Sequence, residues 1–157
     1  MKASTLTDLK KELGNLSSDE ILELCLKLAK YKKENKELLT YLFFEAMDER
    51  EYIKNIKTEM DHQFQEINSN TIYFAKKGIR KILRTTSKFI KYSGNRQTET
   101  ELLIYFCKKM METGLPIKTN VTLTNIYERV LLKIRKALST LHEDLQYDYE
   151  QELNALN

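Results

Sequence analysis

Residues Thr71 to Ser93 read TIYFAKKGIRKILRTTSKFIKYS, and the reading of this stretch decides the fold. At about 100° per residue, Lys77, Arg80, Lys81, Arg84, Lys88 and Lys91 fall on one stripe of a helix. Ile72, Ala75, Ile79, Ile82, Leu83, Phe89 and Ile90 fall on the far side. No acidic residue occurs between Glu66 and Glu99. Such a helix must bury one face and turn the other to solvent, to an anion or to an acidic partner. Burial has to come from the rest of the chain.

The chain has 157 residues, and a length of that order in one domain buries roughly 70% of its unfolded surface. A single all-helical domain over 1–157 is therefore the simplest expectation. Four Gly and one Pro leave few places for hairpins, and β-branched alternation is nowhere sustained, so no strand is expected. The net charge of +3, from 26 basic and 23 acidic residues, does not mark a nucleic-acid binder. Its distribution says more: residues 70–96 carry eight basic side chains and no acid, and residues 142–157 carry five acids and no Lys or Arg. Opposite blocks in one chain can neutralise each other, and that reading stands beside the outward-facing one. The N-terminal MKASTLTDLKKEL has no apolar signal region, and no run approaches the roughly 20 apolar residues of a transmembrane segment. With two cysteines and no disulfide framework, a cytoplasmic location is expected.

Capping signals divide the chain. Thr5 with Asp8 and Ser17 with Glu20 have capping-box spacing, predicting helices from 5 to 13 and from 18 to 32. The second is apolar on more than one side, which predicts a central position. Asn35 is a candidate N-cap for a helix over 36–47, and Asp48 with Glu51 for one over 49–67. No Gly or Pro separates those two, so one bent rod is the alternative. The NSN run at 68–70 opens the basic helix, and Gly94 ends it. Thr98 with Glu101 predicts a helix over 99–113, stopped by Gly114 and Pro116. From about residue 122, Leu123, Tyr127, Val130, Ile134, Leu138, Leu141 and Leu145 recur at helical steps, as one long rod or as two helices bent near His142 to Asp144. The sum is an all-α fold of about seven helices, an antiparallel bundle or an irregular αα-hairpin stack.

Catalytic chemistry has no visible seat. Glu59-x-x-His62 has the spacing of a di-iron bundle motif, but such bundles need it twice, and His142 has Ser139 where its partner belongs. Cys25 and Cys107 lie in apolar helical patterns, which predicts buried, inert thiols. No phosphate-binding Gly loop, G-x-S-x-G or C-x-x-C occurs. No catalytic residue, metal or cofactor is expected.

LSSDEILELCLKLAK, ENKELLTYLFFEAMDE, KKGIRKILR and LSTLHEDLQYDYEQEL together resemble a family of short, uncharacterised bacterial proteins, over nearly the whole chain. The resemblance implies an all-helical intracellular bacterial protein and carries no activity or site residues with it. The residues themselves point to a non-enzymatic interaction module. Its partner-binding residues are Lys77, Arg80, Lys81, Arg84, Lys88 and Lys91. From Lys77 to Lys91 the stripe spans about 21 Å at ~1.5 Å per residue. It suits an acidic protein surface first and nucleic acid second, since the aromatic residues able to stack on bases lie mainly on the apolar side.

Overall fold

Thr5, Ser17, Asp48, Thr71, Asn95 and Asn120 each start a helix, their short polar side chains taking up backbone N–H groups that a first turn leaves unpaired. The structure, a computed structural model, describes residues 1–156. It holds eight α-helices and one π-helical turn, with no strand among the described residues. The chain divides into two compact units, Met1–Phe44 and Glu45–Asn157.

In the first unit, α1 (Leu6–Leu13) and α2 (Ser18–Tyr31) both begin with the expected capping boxes. The Glu20 N–H donates to Ser17 Oγ at 3.3 Å, and the Ser17 N–H donates to the Glu20 carboxylate at 2.8 Å. A third helix, α3 (Lys33–Thr40), packs against α2 and runs on into a π-helical turn, Tyr41–Glu45. Asn35 does not cap it. The Asn35 amide instead donates to the Leu28 carbonyl at 2.7 Å and ties the turn between α2 and α3. The expected central role of α2 is corrected: no residue of α1, α2 or α3 is buried, and Leu22, Leu24, Leu26 and Leu28 are exposed. A hairpin of two helices offers each only one apolar face, so a helix that is apolar on several sides cannot bury them all within it.

The first helix of the second unit is α4 (Glu49–Gln65), capped by Asp48, so the expected helices on either side of this residue are separate and not one bent rod. Then follow α5 (Ile72–Ser93), α6 (Arg96–Glu112), α7 (Val121–Leu138) and α8 (Glu143–Asn154). The centre is α6, which packs against α4, α5, α7 and α8. Its sequence explains the position. Leu102, Leu103, Ile104, Phe106, Cys107 and Met110 point round most of the circumference, and all are buried. A helix apolar on all sides belongs inside a bundle. It starts three residues earlier than Thr98–Glu101 spacing predicts, because Asn95 takes the capping role. Thr98 is then buried, and its hydroxyl donates to Glu49 Oε1 at 2.5 Å; the Ser93 hydroxyl donates to the same oxygen.

Polar ties fix the outer helices on α6. Glu101 accepts from Lys57 of α4 at 2.6 Å and from the Tyr149 hydroxyl of α8 at 3.3 Å. The Tyr105 hydroxyl donates to Asp61 of α4 at 2.8 Å. The apolar rod at the C-terminal end is two helices: α7 ends at Leu138, His142 is the N-cap of α8, and the Tyr127 hydroxyl donates to the Leu156 carbonyl at 3.0 Å. Ile82, Phe106 and Ile134 are buried as their stripes require. Phe64, one residue from the end of α4, is only half-buried; its ring meets that of Phe106 at 5.6 Å.

Candidate functional site

The basic helix forms as α5, with the Thr71 hydroxyl accepting from the Phe74 N–H at 3.3 Å and Gly94 closing the other end. Its 22 residues make a rod about 33 Å long. Ala75, Ile79, Ile82 and Thr86, at steps of four, three and four, are buried. The opposite face carries the expected cations: Lys77, Arg80, Lys81, Arg84 and Lys91 are exposed, and Lys88 is half-buried. The Lys88 ammonium lies 5.1 Å from the Phe89 ring and 6.0 Å from that of Tyr92, so these rings hold its stem near the surface.

Along the first half of the face, the side chains of Tyr73, Lys76, Lys77, Arg80, Lys81 and Arg84, all from α5, bound one shallow open groove. Tyr73 is 68% exposed, with its ring in edge contact with that of Phe74. Beside it, where the 66–71 connection leaves α4, Ile67 approaches Gly78 so closely that an added Cβ would stand 3.2 Å from its side chain.

Whether acids inside the chain cover the stripe is settled by the ion pairs. Glu152 of α8 pairs with Lys108 of α6 at 2.6 Å, and Tyr149 bonds Glu101. Glu143, Asp148 and Glu150 stay exposed. Asp61 and Glu112 hold Lys109 at 3.1 and 3.0 Å, and Glu99 holds Arg96 at 2.6 Å. These bonds to Glu112 and then Asp61 push the Lys109 ammonium up, so it stays charged. Among the described residues, Lys77, Arg80, Lys81, Arg84 and Lys91 make no ion pair. The acidic C-terminal block thus spends itself on α6 and on solvent rather than on α5.

The other candidate centres are dispersed. Glu59 accepts from Gln63 at 2.6 Å, His62 is exposed, and no three His, Cys, Asp or Glu side chains converge among the described residues. Cys107 is buried, and burial pushes its thiol up to about 12. Cys25 departs from expectation: it is exposed, because its helix leaves its apolar sides uncovered. No helix among the described residues is long and apolar enough to cross a membrane. The sequence reading passed over Lys133 and Lys136 of α7, which stand with Lys91 and Arg96 around a second basic concavity. The KIRK run at 133–136 was the available signal, overshadowed by the leucine stripe around it. Comparison with protein-family models, with curated proteins and with solved structures finds no match.

Proposed function

We propose that the chain is a non-enzymatic helical interaction module, and that the outer face of α5 docks an acidic protein surface. The observation that carries this reading is the unpaired state of Lys77, Arg80, Lys81, Arg84 and Lys91 on one exposed line. Cations three and four residues apart repel by a few tenths of a kcal/mol per pair, roughly 0.2–0.5. Folding alone gains nothing from that arrangement, whereas a facing row of carboxylates converts each repulsion into attraction and steers the encounter. The partner's matching surface is an acidic helix or strand of similar length, about 21 Å.

The test is Arg80→Glu combined with Arg84→Glu, measured on immobilised polyglutamate and on a duplex DNA oligonucleotide. Both side chains are exposed, and Glu at these positions faces Lys76, Lys77, Lys81 and Lys88, so the fold should be kept and stability should not fall. Retention on polyglutamate should be lost. Retention unchanged by the double substitution would remove this surface from consideration.

One observation favours nucleic acid as the second reading. Tyr73 is exposed and lines the same groove as Lys77 and Arg80, so an aromatic face stands beside the cations, as single-stranded binders need. Salt separates the two. Neutralising about six phosphates predicts roughly a thousandfold loss of affinity between about 50 and 200 mM salt on duplex DNA. Tyr73→Ala would then weaken single-strand binding and leave polyglutamate retention unchanged.

A further inference from the structure

A separate concavity of about 250 Å³ lies where α5, α6 and α7 meet. It takes Lys91 from the end of α5, Arg96 from the start of α6, and Lys133 and Lys136 from α7. The tight link through Gly94 and Asn95 sets the first two near each other, with Gly94 at φ +65° and nothing within 4 Å of the space a Cβ would take. Lys133 and Lys136, three residues apart, share a face of α7. The one carboxylate at this place is Glu99, and Arg96 already holds it at 2.6 Å. Lys91, Lys133 and Lys136 make no ion pair among the described residues.

Three excess cations from two helices thus surround one hollow with no carboxylate among the described residues left to face them. The floor is apolar, with Leu103 and Ala137 each 1% exposed, while Lys91, Lys133 and Lys136 stand exposed at the rim. The donors are side chains, because Asn95 Oδ1 already accepts from the Gln97 and Thr98 N–H groups at the start of α6. Ser87 adds a hydroxyl on the α5 side. The volume is below the roughly 300–1,000 Å³ of sites for drug-sized ligands, which selects a small ligand.

We propose that this hollow is a binding site for a phosphate dianion, free or as the terminal group of a small phosphomonoester. It shares only Lys91 with the docking face of α5, and it stands or falls independently of that face.

Calorimetric titration of the whole chain with inorganic phosphate, and separately with glycerol phosphate, tests it. Saturable binding of phosphate alone identifies the free anion, and binding of both identifies a monoester group. Lys133→Gln with Lys136→Gln should weaken either by about tenfold or more, as the loss of two charge-assisted bonds requires. Arg80→Glu with Arg84→Glu should leave phosphate affinity unchanged while abolishing polyglutamate retention, which separates this site from the docking face. In the unsubstituted protein, phosphate should protect Lys91, Lys133 and Lys136 from amine acylation relative to Lys81, read by mass spectrometry. Heat without saturation for both ligands, affinity unchanged in a folded Lys133/Lys136 variant, or equal acylation of all four lysines would overturn the proposal.

Discussion

The thiols of Cys25 and Cys107 stand in similar apolar sequence and in opposite surroundings. A thiol reagent should therefore label Cys25 in the native protein and reach Cys107 only after denaturant is added; mass spectrometry of the labelled chain reads this directly. Burial raises the Cys107 thiol from 9.0 to about 12, so the folded state favours the protonated form. Its contribution to stability is complete below the unfolded value and is lost as pH rises through the folded one. Tyr127 and Tyr149 are raised by burial too, and Tyr105 by burial and the bond to Asp61, which adds to the same trend. The melting temperature should fall as pH rises from 9.0 towards about 12, and Cys107→Ala should flatten that fall. An equally steep decline in the variant would assign the effect elsewhere. Gly94 is a second residue-scale test. Its φ of +65° is left-handed and its surroundings are open, so Gly94→Ala costs only backbone strain, about 1–2 kcal/mol in chemical denaturation.

At the scale of the element, α5 carries a row of cations that repel one another. Lys81 stands four residues from Lys77 and three from Arg84, so it repels both. Lys81→Glu turns those contacts into ion pairs and should raise stability by about 0.5–1 kcal/mol. The same change should reduce polyglutamate retention. A gain in both would contradict the docking role of the face. The end of α5 was readable from Gly94 and its two faces from spacing alone, whereas its start falls to Thr71 and not to the Asn-Ser-Asn run at 68–70, because the Thr71 hydroxyl is the group that accepts from the Phe74 N–H. That the acidic C-terminal block passes it by was not readable. Charge blocks pair by proximity in the fold, and α8 is carried to α6 by the burial of Tyr149 and Leu153.

At the scale of the whole molecule, burial is unevenly shared. Residues 45–157 hold nearly all the buried side chains, centred on α6, while α1 to α3 hold none. Phe106→Ala should cost about 3–5 kcal/mol, because the ring is fully enclosed and its cavity cannot collapse from any side. The fragment 45–157 should melt cooperatively by itself, and the fragment 1–44 should show little helix alone, since short helices without packing are marginal in water. Circular dichroism of both fragments decides this.

Periodicity and capping within the sequence determined that the chain is all-helical, where most helices begin and end, and that α5 has a basic face. These are properties of neighbours within a few residues, set by backbone geometry and by side chains that satisfy the first turn. Only the tertiary structure decided that α6 and not α2 is central. Both are rich in apolar residues, and centrality depends on how many partners surround a helix. It also decided that Cys25 is exposed, that the acids of α8 leave the stripe of α5 uncovered, and that Lys91 and Arg96 meet Lys133 and Lys136. Those pairings join residues some 40 positions apart, and the sum of apolar burial across five helices places them, with no local signal to announce it.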